Sequence, residues 1–299
     1  MKKSNTPHTF LQRLSMLCLI AMMTVVSGCT SVKFTYDHGD TLLYWWLNAY
    51  VDLDGDQSGW VKKDIDKLFQ WHRTTQLKQY SATMAKAKTQ LAGDMTQADL
   101  LADYKEVKTY TEQLAMRAVP DLADLARSVK PDQITQMEKK FAKNNDDYRK
   151  KFLKGDMERR QKARFDKSLE QFDVWFGSFS SDQKAILRKA SDARPMDSEI
   201  FLAERIRRQQ KIAATLRKVQ QEKLSKEATQ KEITALMRDV IDRPEAPERK
   251  AFYDSYVDAT SKYILAAIKI ATPEQKAHAQ KRMQGWIDDF NKLATEPQQ

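Results

Sequence analysis

Residues 61–91 read VKKDIDKLFQWHRTTQLKQYSATMAKAKTQL, and large apolar side chains recur in this stretch every three or four positions. The stripe consists of Val61, Ile65, Leu68, His72, Leu77, Tyr80, Met84, Ala87 and Leu91. Residues with this spacing lie on one face of an α-helix, because the helix has 3.6 residues per turn. The stretch therefore predicts a long helix with a single buried face.

The same spacing appears in three later parts of the chain, around residues 202–216, 253–271 and 283–293. The 299 residues include only 8 Gly and 8 Pro, and the chain is rich in the helix formers Ala, Lys, Gln, Leu and Glu. No stretch shows the sustained alternation of a strand. We expect an all-α fold, an elongated multi-helix bundle with long amphipathic helices.

Helix breaks are expected near glycine and proline, at residues 93–94, 119–120, 130–131, 177–181, 194–195 and 243–247. None of these breaks is long enough to be a flexible linker between domains. We therefore expect residues 40–295 to form a single all-helical domain, in which the one soft boundary would fall near residue 177.

Four short stretches share an acidic residue followed by glutamine: DGDQ at 54–57, KPDQ at 130–133, SSDQ at 180–183 and TPEQ at 272–275. Each precedes a helical pattern and places its glutamine at the third helical position, as in a capping box. We interpret all four as helix starts. The first lies in DLDGDQSGWVKKD at 52–64, which resembles a calcium-binding loop, but Lys63 stands where such a loop needs a glutamate. We expect no calcium site there.

The first 28 residues have the pattern of a bacterial lipoprotein signal peptide. Lys2, Lys3 and Arg13 precede an apolar run at 14–26 that is too short to span a bilayer. The run ends in VSGC at 26–29, which resembles a lipobox. We expect cleavage before Cys29 and acylation of this residue, followed by a short tether at 29–39.

Acylation at Cys29 predicts membrane attachment, because two or more acyl chains hold a protein stably in a bilayer. Thr30 follows the cysteine where inner-membrane lipoproteins usually carry an aspartate. By this resemblance we expect an outer-membrane location facing the periplasm. The other cysteine, Cys18, leaves with the signal, so we expect neither a disulfide nor a cysteine metal site.

The sequence CTSVKFTYDHGDTLLYWWLNAYVDL at 29–53, followed by LFQWHR at 68–73, is similar to a bacterial lipoprotein family known only as a domain of unknown function, DUF6279. The resemblance is most specific over the first fifty residues after the lipobox. It implies an outer-membrane lipoprotein with an all-helical body. It implies no reaction and no catalytic residues.

Two aromatic features have competing interpretations. The segment LLYWWLNAY at 42–50 is apolar nearly all round, which favours a helix buried between other helices. The alternative is an aromatic belt at the bilayer surface formed by residues such as Trp45 and Trp46, because tryptophan is enriched at the interface between membrane and water. His72 shares a face with Ile65 and Leu68, and we interpret it as a satisfied core residue. No partner for a general base is evident, so we expect no catalytic residues, metal or cofactor.

Residues 139–167 form the most basic stretch of the chain, with 12 Lys or Arg against 5 Asp or Glu, a net charge of +7. This equals the net charge of the whole chain after the signal peptide is removed. A solvated helix face is the plainer explanation, and a surface for an anionic partner is the sharper one. The candidate contacts are Arg149, Lys150, Lys151, Arg159, Arg160, Lys162 and Arg164.

These observations favour a non-enzymatic interaction or scaffold module of the cell envelope, anchored in the outer membrane through Cys29. Its expected partner is an envelope protein or an anionic polymer rather than nucleic acid, because the periplasm holds no genome. Two alternatives remain open, a membrane-tethered periplasmic chaperone and a hydrolase of envelope polymers. A broad concave apolar patch would favour the chaperone, and a pair of carboxylates in a cleft would favour the hydrolase.

Overall fold

The protein is described by a computed structural model over residues 31–195, 197–241 and 247–296. These residues are all helical or in turns, which confirms the predicted all-α multi-helix bundle. Cys29 and the expected signal peptide lie outside them. The helices are α1 Ser31–Asp37, α2 Gly39–Val51, α3 Gly55–Ala92, α4 Gln97–Ser128, α5 Pro131–Tyr148, α6 Met157–Phe176, α7 Ser181–Asp192, α8 Ser198–Gln221, α9 Lys226–Ile241, α10 Pro247–Ile270 and α11 Pro273–Thr295.

The predicted 61–91 helix is the central part of α3, which has 38 residues and is about 57 Å long at 1.5 Å per residue. Its buried face contributes to three hydrophobic clusters along the molecule. Val61 and Ile65 belong to the first, Leu77 to the second and Leu91 to the third. One long helix therefore joins the cores at both ends of the bundle.

The first core lies where α2, the start of α3, the end of α4, α5, α8 and α9 meet. The third lies where the end of α3 meets α6, α7, α10 and the start of α11, and it is rich in phenylalanine. Between them, Phe290 and Leu293 of α11 pack on Leu77. Helix α11 runs along α3 and closes this middle section.

The four acid-glutamine stretches all begin helices, as the sequence predicted. Asp54, Ser180 and Thr272 accept a hydrogen bond from the backbone of the glutamine three residues later. At the fourth start, Lys130 has no accepting side chain, and only its backbone N–H bonds to the glutamine, at 2.8 Å. The stretch that resembles a calcium loop is therefore a helix cap.

The glutamines of these stretches also pair with each other across the fold. Gln57 and Gln133 exchange amide hydrogen bonds of 3.2 and 2.7 Å. The side chain of Gln57 also donates to the carbonyl of Ser128 at 2.8 Å, and that of Gln133 donates to the carbonyl of Asp52 at 2.8 Å. The start of α3 is thus bound to the start of α5.

Gln183 and Gln275 repeat this arrangement at the other end of the bundle, with amide distances of 2.8 and 3.3 Å. Gln183 donates to the carbonyl of Ile270, and Gln275 donates to that of Ser178. In both pairs each glutamine reaches the residue five positions before its partner. We call each pair of linked helix starts a corner. The chain therefore forms the same corner twice, once at each end of the bundle.

The structure differs from the sequence expectations at Pro120, where a break was predicted. Helix α4 continues through this residue to Ser128. A proline inside a helix loses one backbone hydrogen bond and costs about 3 kcal/mol. The buried neighbours Val119, Ala123 and Ala126 offset this cost by packing into the first core.

Residues 31–37, expected to be part of a tether, form helix α1 and pack against α11. Lys33 bonds Glu296 at 2.6 Å, and Asp37 bonds Arg73 of α3 at 3.0 Å. These contacts fix α1 to the body. Helix α1 thus starts two residues after Cys29.

Candidate functional site

A cleft of about 340 Å³ lies where the end of α5 meets α6, α8 and α10. Its shape depends on the break between α5 and α6. After α5 the chain forms a π-helical turn at Arg149–Leu153, and Gly155 then takes a φ of +94°, which favours glycine. Asp156 starts α6 by accepting a hydrogen bond from the Arg159 backbone at 2.8 Å. The basic stretch 139–167 is therefore bent around the cleft instead of forming one helix.

Five cationic side chains line this cleft: Lys151, Arg160, Arg164, Lys167 and Arg194. No Asp or Glu is among the described residues that line it. Its volume falls in the range of small ligand pockets, roughly 300–1,000 Å³. An anionic group in the cleft would meet positive charge on several sides.

The two arginines at the base of the cleft are fixed in place by the backbone. Arg164 donates to the carbonyls of Ser191, Arg194 and Pro195 at 2.6, 3.3 and 3.0 Å. The guanidinium of Arg194 bonds the Ser191 hydroxyl at 3.0 Å and lies 4.1 Å from the centre of the Tyr263 ring. Both charges are thus held in position before any ligand arrives.

Burial lowers the pKa of Arg164, and the nearby charge of Arg194 lowers it further. Burial also lowers the pKa of Arg194. Both arginines remain charged, since an arginine pKa lies far above neutral pH. Because two like charges lie close together in a partly desolvated place, an anion between them would relieve their repulsion.

Arg160 provides a further donor to the cleft. Its Nε is buried and has no hydrogen-bond partner within the described part of the chain. An unpaired buried donor costs about 1–3 kcal/mol. Because this atom is closed to solvent, a ligand oxygen would reach it only after the side chain turned towards the cleft.

The opposite wall of the cleft is aromatic. Tyr148 and Phe152 have ring centroids 4.7 Å apart, and Phe201 and Tyr256 have theirs 5.3 Å apart. Phe152 is 38% exposed. Aromatic faces pack against flat or sugar-like groups, so the cleft suits a ligand that combines an anionic group with a less polar part.

The structure divides the seven predicted contact residues into two sets. Lys151, Arg160 and Arg164 line the cleft. The other four are not among the residues that line it. Arg149 pairs with Asp146, and Lys162 pairs with Asp166. Lys150 lies 4.0 Å from Asp147, and Arg159 packs over Gly155.

Sequence reasoning missed several cleft residues. Lys167 lies in the basic stretch but was not singled out, and its Glu170 contact at 2.7 Å is on the exposed face. Arg194, Phe201 and Tyr256 come from distant parts of the chain. Only the break at residues 194–195 gave a sequence signal, because a turn there can direct backbone carbonyls towards Arg164.

A second, apolar cavity of about 540 Å³ lies between α1, α2, α3, α4 and α11, and His72 is in its wall. Both ring nitrogens of His72 are hydrogen-bonded, to the hydroxyls of Tyr36 at 2.8 Å and Tyr80 at 3.1 Å. Burial lowers the pKa of His72 to about 4. The interpretation of His72 as a satisfied residue is confirmed by these two hydrogen bonds, although the side chain is half-buried at the cavity wall and not in the core.

Trp45 and Trp46 correct the favoured interpretation of segment 42–50. They are 63% and 59% exposed, and Leu42 is 49% exposed. Helix α2 packs on α3 and α5 through its other face only. The segment is therefore not buried between helices, because an apolar helix at the edge of a bundle still has one face in solvent.

A family model described as a family of unknown function, DUF6279, matches residues 49–239, which is more than half of the chain. The chain belongs to this family. The match includes the basic stretch and most of the cleft, while Cys29 and Trp45-Trp46 precede it and Tyr256 follows it. No curated protein and no solved structure matches the chain.

Two kinds of feature do not occur among the described residues. None of their helices is both long enough and apolar enough to cross a membrane. Within the same residues no three His, Cys, Asp or Glu side chains come together as a metal-binding group would.

Proposed function

We propose that this DUF6279 protein is an outer-membrane-anchored periplasmic lipoprotein that acts as a non-enzymatic interaction module. Its anchor is the acylated Cys29, and its binding element is the basic aromatic cleft. The partner is an anionic polymer or an acidic protein of the cell envelope. The lipobox VSGC directly behind a short apolar run supports the anchor.

One observation carries the binding role: five cations surround a cleft whose described lining contains no carboxylate. Surface cations are normally neutralised by nearby acids, as Arg149 and Lys162 are here. Lys167 has such a partner in Glu170, but the other four cleft cations form no ion pair among the described contacts, and the backbone carbonyls of residues 191, 194 and 195 hold Arg164 in place. Such an arrangement raises the local potential and attracts anions.

The test compares two triple charge reversals that change the net charge equally. The cleft variant carries Lys151→Glu, Arg160→Glu and Lys167→Glu. The control variant carries Arg149→Glu, Lys150→Glu and Lys162→Glu on the outward face. Arg164 and Arg194 stay unchanged because their hydrogen bonds hold the α7–α8 connection in place.

Retention on purified envelope fractions is measured for both variants across a salt series. We expect the cleft variant to lose at least about tenfold in affinity, equivalent to about 1.4 kcal/mol, with a shallower salt dependence. The control should stay within about threefold of wild type, since exposed charges are screened by water and salt. Circular dichroism and the melting temperature confirm that both variants are folded.

Equal losses in the two variants would show that only the net charge matters and that the cleft is not a site. Protease treatment of the envelope fractions then distinguishes the partners. Retention that survives it indicates an anionic polymer, and retention that disappears indicates an acidic protein.

A further inference from the structure

Helix α2 exposes an uninterrupted apolar stripe to solvent. Leu42, Trp45, Trp46 and Ala49 lie three or four positions apart and share its outer face. Trp45 and Trp46 have the highest exposed fractions among the exposed large hydrophobic side chains of the described chain. None of the four stripe residues is charged.

The opposite face of the same helix is committed to the protein core. Leu43, Leu47, Tyr50 and Val51 pack in or against the first core. The ring of Tyr50 lies 5.7 Å from that of Phe141 on α5, and Asn144 donates to its hydroxyl at 2.9 Å. Helix α2 is thus held firmly, and its outer stripe cannot turn inwards.

The position of the stripe in the chain indicates what covers it. The expected acylated residue, Cys29, lies two positions before α1, and α2 begins directly after α1 and one further residue. Helix α1 has seven residues, about 10 Å at 1.5 Å per residue. A chain anchored at Cys29 therefore keeps α2 within reach of the bilayer surface.

Two lysines flank the helix on its neighbours. The Nζ of Lys62 lies 4.6 Å from the centre of the Tyr44 ring, and that of Lys140 lies 6.0 Å from the centre of the Tyr50 ring. Tryptophan prefers the boundary between lipid tails and headgroups, and lysine prefers anionic headgroups. The stripe and its flanking charges together have the chemistry of a membrane-surface contact.

We propose that the outer stripe of α2 docks into the interface of the lipid bilayer, with Trp45 and Trp46 at headgroup level. The helix has 13 residues and is about 20 Å long, which is too short to span a hydrocarbon core about 30 Å thick. It therefore lies along the bilayer surface. This docking rests on the proposed anchor at Cys29. It adds a second contact that fixes the orientation of the bundle relative to the membrane.

The experiment uses the full chain isolated from cell membranes and reconstituted into vesicles of phosphatidylethanolamine and phosphatidylglycerol with brominated acyl chains. Bromine quenches tryptophan fluorescence only at short range. Two of the six tryptophans are in the stripe, so we expect about a third of the emission to be quenched. Trp45→Phe with Trp46→Phe should remove most of that quenching, while the protein still floats with the vesicles.

The matched control changes another tryptophan pair, Trp175 and Trp286, whose ring centroids are 5.1 Å apart. Trp175→Phe with Trp286→Phe should lose the same absolute emission on quenching as the wild type, which is about half of the emission of its four remaining tryptophans. If the chain floats with the vesicles and quenching does not depend on Trp45 and Trp46, the docking is refuted and the anchor stands. If the chain does not float at all, the anchor and the docking are both refuted.

Discussion

At residue scale, His72 shows how a titratable group can be placed in an apolar wall without becoming a catalyst. Its two nitrogens are occupied by Tyr36 and Tyr80, whose rings lie at centroid distances of 5.7 and 5.3 Å from the imidazole. A neutral imidazole donates from one nitrogen and accepts at the other, and two tyrosine hydroxyls can satisfy both roles. A proton added at the accepting nitrogen would reverse the direction of one of these bonds and place a positive charge in an apolar wall.

His72 therefore makes the stability of the fold depend on pH. Its pKa is about 4 in the folded protein and about 6.5 in the unfolded chain. The unfolded state binds the extra proton between these values, so stability is full above pH 6.5 and falls as the pH drops towards 4. We expect the free energy of unfolding to fall by about 1–2 kcal/mol between pH 7 and pH 5 through this residue, after allowance for its partial exposure.

Urea unfolding of His72→Leu at pH 7 and pH 5 measures this effect. The variant should be less stable at pH 7, because two tyrosine hydroxyls lose their partner, but its loss on acidification should be smaller. Leu77→Ala, a core change on the same helix, is the control and should lower stability equally at both pH values. An unchanged pH dependence in His72→Leu would mean that other groups cause it.

The histidine could be interpreted from the sequence because its neighbours on the stripe were apolar. Its partner Tyr36 could not be predicted, since it lies 36 positions away on another helix, whereas Tyr80 lies on the same stripe of α3. The cavity beside it was also beyond prediction. This cavity is formed by the packing of five helices, and no local pattern in the sequence reports how well they fit.

At the scale of elements, the four acid-glutamine stretches are more than helix caps. In each corner the glutamine satisfies its own helix start and reaches across to the backbone before its partner. Ion pairing adds to the first corner, where Lys130 lies 2.9 Å from Asp54. Buried amide networks of this kind stabilise a fold only when every member is satisfied.

Double-mutant cycles should reveal these pairs. Gln57→Leu and Gln133→Leu should each lower the free energy of unfolding by about 1–3 kcal/mol, because buried backbone groups lose their partners. The double variant should lose at least about 1 kcal/mol less stability than the sum of the two single losses, since each single change already removes the other glutamine's partner. Thermal and urea unfolding provide the values.

The matched cycle combines Gln57→Leu with Gln183→Leu, which lie in different cores. The effects of these two changes on the free energy of unfolding should be additive to within about 0.5 kcal/mol. Coupling of similar size in both cycles would mean that the glutamines act through general destabilisation and not through direct pairing.

Helix starts were predictable because capping chemistry is local, and three of the four caps have the expected accepting side chain. The positions of helix breaks and the burial of helix faces were harder to predict from the sequence. The predicted break at Pro120 was wrong because core packing outweighs the lost hydrogen bond, and segment 42–50 was judged buried although its neighbours cover only one face. In both cases tertiary contacts, which the sequence does not show directly, decide the outcome.

At the scale of the whole molecule, the cleft combines side chains that are up to 108 positions apart, from Tyr148 to Tyr256. Charge counting located its most basic wall at 139–167. It could not separate the inward cations Lys151, Arg160 and Arg164 from the outward ones, because the bend after α5 decides that division. The aromatic wall could not be predicted either, because the fold brings Phe201 and Tyr256 to the two rings of the basic stretch, Tyr148 and Phe152.

The proposed function requires an anchor at Cys29 and a binding cleft in the body of the protein, and both must work in the same cell. Site-directed photo-crosslinking in cells tests this most directly. A photoreactive residue replaces the cleft residue Phe152, which is 38% exposed, in the full chain with Cys29 intact. The control position is Ile186, which is 50% exposed on α7.

We predict that Phe152 forms a defined adduct in the outer-membrane fraction and that Ile186 does not. The adduct should disappear with Arg160→Glu and Lys167→Glu, and it should shift out of the membrane fraction or be lost with Cys29→Ser. Adducts of equal pattern at both positions, or a Phe152 adduct that survives the charge reversals, would contradict an anion-binding cleft on a membrane-anchored protein.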